Sequence, residues 1–507
     1  MRTISAALLL LAIAKPVWAE APPPSVILPP GIAHVRTNAE LTGTSSAVGQ
    51  VLRTGYYAPG DVAPIVYTAS TEPCSRNGGT GDGGFQIPTR DGKCWVASFS
   101  QSRIPLAQFG LRCDGSSKDM AIIATTIASA LEQNRGTHLA FPGGTCPLAS
   151  TIEINRGSVY LSGQGAGATT LRVMGEFDAF RFGGEAFDGG VSDLRIESAI
   201  AQPRAGFALR TQEGVGSIAM SDVRVEGTFG GLNMVNPPVT GVVKVHDVHF
   251  SNLTSTMTAD TIRIEGASQI FLSNVDSYQT NPNRACLHFL DTSAAYLSNV
   301  TCGGSGTGLL VDPEQGQRVF DIFATNLEID NSQANAGGLI LDSTRGGAIW
   351  GLRLSNIRSG YGSGPGIVFR GKNTSHVTLT NFSSERNLSS GLIVEGLQDS
   401  QITDGQLLGN GAGGQASIGL DLRQADRVVF ARLRASANYP GQSASAQEVG
   451  IAIASGFTGS AQIRDGDLSG NTKEAMINAR RTKSIIVSGL ACTQDSHSSC
   501  GHLVLTP

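Results

Sequence analysis

Two short phrases alternate along this chain from about residue 190 onward, and their common spacing limits the fold more than any other feature. The first phrase is a short strand that ends in Asn or Asp and is followed by an apolar residue and a polar turn. Its Asx position falls at Asp193, Asp222, Asp247, Asn274, Asn299, Asn326, Asn356, Asn381, Asp404 and Asp465, mostly 23 to 30 residues apart. The second phrase lies between these copies, as in TIRIE (261–265), CLHFL (286–290), GLLVD (308–312), GLILD (338–342), GIVFR (366–370) and GLIVE (391–395). Apolar residues occupy its second and fourth positions, a period of two, so each copy is a strand with one buried face. Two phrases sharing one repeat length mark a solenoid. A coil of about 25 residues suits three short strands and three turns. The expected fold is therefore all-β, a right-handed parallel β-helix of about 11–12 coils. Asn and Asp suit a fixed turn position because they tolerate the left-handed region and bond nearby backbone. In such a helix their side chains can also stack into ladders.

Composition agrees with this reading. The 507 residues include 64 Gly and only 15% charged residues, yet 40% are hydrophobic. Gly does not recur every third residue, which excludes collagen. The hydrophobic content excludes a disordered polyelectrolyte. Low Lys and Glu with abundant small residues argue against a helical protein and suit strands joined by tight turns.

The N-terminus points to export. Arg2, the apolar run Ala6–Ala14 and the small residues up to Ala19 form a basic, an apolar and a cleavage region. The apolar run is too short for a bilayer, which needs about 20 residues. Cleavage after Ala19 removes Arg2 and Lys15 and leaves 35 basic against 41 acidic residues, a net charge of −6. An acidic chain without basic runs argues against nucleic acid as a partner, and no later stretch is long enough to cross a membrane. The expected location is secreted, periplasmic or extracellular. All eight Cys lie beyond residue 19, in successive pairs 74/94, 113/146, 286/302 and 492/500. An even count in an exported chain suggests disulfides, and nearest-neighbour pairing is the simplest of 105 connectivities.

Upstream of the repeat, residues 109–154 carry Phe109-Gly110, Asp114-Gly115, Asp119, Ala121-Ile122 and Phe141-Pro142-Gly143-Gly144-Thr145. This segment resembles the opening of the pectate-lyase-like (pectin lyase fold) right-handed β-helix superfamily. The resemblance implies a helix at about 119–134 capping the solenoid. LSGQGAGATTLRV (161–173) is similar to the family's first-coil phrase. Residues 51–61 (VLRTGYYAPGD) and 81–97 resemble the small module that precedes the β-helix in phage tailspike-like depolymerases, with Val62-Ala63-Pro64 where glycines are usual. The chain then divides into a signal peptide (1–19), a Pro-rich linker (20–30), a small β-rich N-terminal module (31–105), the β-helix opening and capping helix (106–165), the β-helix (166–491) and a tail (492–507). The family implies a long groove, a linear polysaccharide as partner and an oligomeric state of monomer or homotrimer. It implies no resident cofactor, with calcium a possibility if the activity is that of a lyase. The paired Asp-Asp and Gly-His-Gly of polygalacturonases, the Asp-Pro-His-Asp of mannuronan epimerases and the Trp-Ile-Asp-His of classical pectate lyases are all missing. No catalytic residue carries over.

Geometry supplies candidates instead. Positions three and five of each second phrase point away from the core. Coil by coil, these positions place Arg263/Glu265, His288, Asp312, Asp342 and Arg370 in one row. Asp312 and Asp342 are expected one coil apart, with Glu265 two coils beyond Asp312. Two stacked carboxylates would repel and so raise one acid. A carboxyl pair about 5 Å apart would suit a retaining glycosidase, and about 6.5–9.5 Å an inverting one. His288, as a neutral base, could abstract a proton beside a uronate carboxylate neutralised by Arg263. Tyr278 and Arg284 could line a sugar subsite, with Asp291 a further carboxylate nearby. The same row could instead be a solvated face of alternating ion pairs. The expectation is a secreted polysaccharide-degrading enzyme with Asp312, Asp342, His288 and Glu265 catalytic, and with hydrolysis preferred over β-elimination. The alternatives are a non-catalytic carbohydrate-binding or structural protein and a polysaccharide epimerase.

Overall fold

A computed structural model describes residues 32–99, 103–116, 118–132, 136–201, 205–212, 215–227, 230–234, 243–251, 259–279, 281–304, 306–330, 332–411, 418–438, 447–478 and 484–492. The signal peptide, the whole of the linker and all of the tail but Cys492 lie outside these residues.

The repeated strands stack in parallel as a β-solenoid of about 11 turns. The second phrase stays in register from coil to coil. Leu232 pairs with Ile262, then Leu287, Leu309, Leu339, Ile367, Leu392, Leu420 and Ile451. These side chains are all buried in one continuous apolar column that forms the core. Period-two alternation is what sends every second residue there.

The Asx positions are single-residue corners between two strands of a coil. Asp193, Asp222, Asn274, Asn299, Asn326, Asn356, Asn381, Asp404 and Asp465 all have φ between 48° and 57°. Asp247 lies where side chains are not described. Successive Asn side chains bond to one another: Asn299 donates to Asn274 (3.0 Å), Asn326 to Asn299 (2.8 Å), Asn356 to Asn326 (2.9 Å) and Asn381 to Asn356. A second amide ladder is buried. Asn387 donates to Asn410 (3.0 Å), Asn410 to Gln447 (3.3 Å) and Gln447 to Asn471 (3.0 Å). It runs beside the glycines that open the second phrase. A Cβ on Gly366 would meet Ser384 Oγ at 2.0 Å, and one on Gly391 would meet Asn410 Nδ2 at 2.7 Å. Lack of room, not a positive φ, excludes side chains there.

Helix Lys118–Glu132 packs on the strands at the N-terminal end, with Ile123, Ile127 and Ala130 buried in the main core. It covers the open end of the first coils. Before it stands a five-stranded sheet in the order Ala33–Val35, Gln50–Arg53, Ile65–Ala69, Cys94–Ser98, Gln86–Pro88. That sheet ends at Ser98, and Arg103–Pro105 already pairs with the first solenoid coil. Disulfides join Cys74–Cys94, Cys113–Cys146 and Cys286–Cys302, the nearest-neighbour pattern. Cys492 is also disulfide-bonded, while Cys500 lies outside the described residues. Among the described residues, no helix is long and apolar enough to cross a membrane.

Candidate active site

Alternation turns position three of each second phrase outward, and the parallel register aligns these side chains. Arg263 sits beside His288, and His288 beside Leu310. His288 is nevertheless only 7% exposed, because carboxylates flank its ring on both sides. Its Nδ1 lies 2.6 Å from Asp260 Oδ2, and its Nε2 lies 2.5 Å from Asp312 Oδ1. Acceptors on both ring nitrogens demand the imidazolium, which donates twice. Burial works against that charge, but the hydrogen bonds and charges of Asp260 and Asp312 outweigh it, and the pKa of His288 is raised. Asp260 is 5% exposed. Burial opposes its ionisation too, yet His288, the Ala285 backbone N–H (2.8 Å) and the charge of Arg284 hold its carboxyl below the ordinary carboxylate value.

The cluster continues outward. Arg345 donates from Nη1 to Asp312 Oδ2 at 2.9 Å and from Nη2 to Glu314. Gln317 accepts from the Glu314 backbone N–H (2.9 Å) and donates to Glu265 (3.0 Å), which pairs with Arg263 at 3.1 Å. One polar chain thus links four neighbouring coils, from buried Asp260 to exposed Arg345, whose side chain is 47% exposed. Among the described residues, no group of three or more His, Cys, Asp or Glu side chains could hold a metal ion.

Of the residues expected from sequence, His288, Asp312, Glu265 and Arg263 join this chain. Asp342 faces elsewhere: its Oδ1 accepts from Thr344 N (2.9 Å) and Thr344 Oγ1 (2.5 Å), and its Oδ2 lies 3.9 Å from Arg370. Each Asp of the expected pair therefore has its own arginine, Arg345 for Asp312 and Arg370 for Asp342. Asp291 accepts from the Arg318 backbone N–H at 3.1 Å. Tyr278 is exposed and lies beside Gly303, its register partner on the parallel strand of the next coil.

Sequence reasoning missed Asp260, Arg345, Glu314 and Gln317. Asp260 precedes its strand by two residues, as Asp178 does in an earlier coil. Asp178 Oδ1 accepts from the Phe207 backbone N–H (2.9 Å), and its Oδ2 pairs with Arg181 and Arg210. An Asp two residues before an inward-facing strand residue was thus a readable signal. Arg345 and Gln317 come from loops after the strand phrase, where no periodicity places a side chain.

Beside this chain lies a cleft of about 530 Å³, within the roughly 300–1,000 Å³ usual for small-ligand sites. It contains Asp342 and Arg370 and lies between the strand face and the turns around Asn283, Asn335 and Ser363.

No protein-family model and no curated protein matches the chain. Several solved structures are similar in fold. The pre-mature gene product 12 of bacteriophage phi29 is 12% identical over 76% of this chain and 55% of that one, with a TM-score of 0.54. The A-module of Azotobacter vinelandii mannuronan C-5 epimerase AlgE6 is 17% identical over 77% of this chain and 99% of that one, with a TM-score of 0.46. The tailspike gp49 of Acinetobacter baumannii bacteriophage Fri1, a capsular polysaccharide depolymerase, is 11% identical over 94% and 76%, with a TM-score of 0.41. Alginate epimerases and tailspikes of this kind are right-handed β-helix proteins.

Proposed function

We propose that the chain is an exported enzyme that cleaves an acidic polysaccharide by taking a proton from the carbon next to a uronate carboxylate. The observation that carries this reading is the Asp260–His288–Asp312–Arg345 chain. A buried carboxylate fixes one nitrogen of an imidazole, and the other nitrogen faces a carboxylate held by an exposed arginine. That is the arrangement of an oriented acid–base group, not of two carboxyls sharing a proton.

In the resting site Asp312 covers Nε2. A uronate carboxylate offers Arg345 a replacement for Asp312 and Glu314, and Arg263 a replacement for Glu265. Once Asp312 is released, the neutral form of His288 accepts the proton at Nε2 while Asp260 keeps Nδ1–H in place. The electron pair left on carbon forms the double bond and expels the neighbouring glycosidic oxygen, which takes a proton from solvent. The arginines neutralise the charge that builds on the carboxylate. Export is supported by the N-terminal segment and by disulfides, which persist in oxidising compartments.

Product chemistry tests the reading against its rivals. Elimination leaves unsaturated, ultraviolet-absorbing ends on digested acidic polysaccharides. Hydrolysis would leave new reducing ends without unsaturation, and epimerisation in heavy water would place deuterium on carbon without cleavage. Binding with no product at all would favour the non-catalytic alternative. The mechanism uses no cofactor, so EDTA should leave the rate unchanged. A rate lost to EDTA and restored by calcium would put a cation into the chemistry.

A further inference from the structure

The outward column changes chemistry one coil past His288. On the N-terminal side the aligned residues are Arg181, Arg210, Asn233, Arg263 and His288. On the C-terminal side they are Leu310, Ile340, Val368 and Ile393. These four aliphatic side chains were expected to face solvent. Instead they pack together as a cluster separate from the main core. Leu310 and Ile340 line the cleft beside the candidate site, and Asn283, Gln333, Asn335 and Ser363 line it too.

The cleft's charged groups, Asp342 and Arg370, are partners of one another. A carboxylate placed there would lose water against Leu310 and Ile340 and find its cation already taken. The lining instead offers an aliphatic surface for a methyl group and several amides for an amide or hydroxyl. Upstream, Arg263 pairs through Nη2 with Glu265 at 3.1 Å, and its Nε is buried without a hydrogen-bond partner.

We infer that the two sides of the site read different sugars: a uronate over Arg263 and His288, and an uncharged unit of N-acetylhexosamine type in the cleft. The substrate is then a mixed polymer and not a homopolymeric uronan. This inference rests on the acidic-polysaccharide reading above. Successive coils lie about 4.8 Å apart, so adjacent sugars of an extended chain meet adjacent coils.

Calorimetry on the full chain separates the possibilities, with two sets of octasaccharides as probes. One set alternates uronate with N-acetylhexosamine, as in unsulfated hyaluronan and chondroitin. The other contains only galacturonate or only mannuronate. The mixed octamers are expected to bind about tenfold more tightly or better. Asn335→Trp, which fills the cleft, should erase that preference, bringing the mixed octamers down by about tenfold to the level of the homopolymers. Ser363→Trp serves as an independent second block. Homopolymers that bind as well as or better than the mixed octamers would overturn the inference and leave the acidic-polysaccharide reading standing. A loss of affinity for both sets in Asn335→Trp, matched in Ser363→Trp, would also overturn it. Failure of every octamer to bind would sink both readings.

Discussion

At the scale of single residues, the account turns on the charge state of His288. Its pKa is raised by Asp260 and Asp312, so the stability it contributes is fully present below the unfolded value of about 6.5. That contribution is lost as pH climbs through the raised folded value. His288→Gln should therefore lower Tm relative to the parent most at mildly acidic pH, with the gap closing at alkaline pH. Asp260 runs the other way: its lowered pKa contributes stability above about 3.9 that fades as pH falls through the folded value. Catalysis in the proposed mechanism needs neutral His288, so the rate should rise with pH through the raised value. Asp260→Asn removes one of the charges that raise it. The rising limb of kcat/KM should move to lower pH, and kcat should fall by about 10²–10⁴. A limb that stays in place would remove His288 from the titrating role. Much of this site was legible in the strand phrases, because alternation alone put Arg263, His288 and Asp312 on the outer face. Asp260 was passed over although Asp178 repeats its place two residues before a strand, because alternation says nothing of a turn residue that hands its carboxylate to the next coil.

At the scale of elements, the Asx corner is the unit that repeats. Asn326 shows its two functions: φ of 57° and a place in the side-chain ladder between Asn299 and Asn356. Asn326→Ala should cost about 1–3 kcal/mol in denaturant unfolding, from left-handed strain plus lost hydrogen bonds. Asn326→Gly keeps the backbone and loses only the ladder, so it should cost less. Equal costs would mean that the backbone preference is not what selects Asn there. The corner was readable because its repeat and its residue type have one physical cause. The covering of Leu310, Ile340, Val368 and Ile393 was not, because two-residue periodicity tells which way a side chain points and not what lies over it. The Cys286–Cys302 disulfide links the strand that carries His288 to the next one. Both its cysteines are buried. With a sequence separation of 16, replacing both by Ser should cost about 3 kcal/mol on the loop-entropy argument.

At the scale of the whole molecule, a solenoid gives a polymer-acting protein what a rounder fold does not: a strand face on which successive coils present successive side chains. The same repetition explains the odd composition. Gly366, Gly391 and their equivalents open the coils where side chains and backbone of the same and the next coil leave no space for a Cβ. Half of each strand is spent on a narrow apolar core, and the few charges gather on the outer face. The measurement that tests the central claim most directly is the rate at which unsaturated ends appear from an acidic polysaccharide with the parent, His288→Gln and Asp342→Asn, each shown to be folded by Tm and circular dichroism. The account predicts that His288→Gln loses about 10³-fold or more of the rate while Asp342→Asn keeps most of it. Unsaturated product made at parental rate by His288→Gln, or its loss in Asp342→Asn alone, would contradict the account.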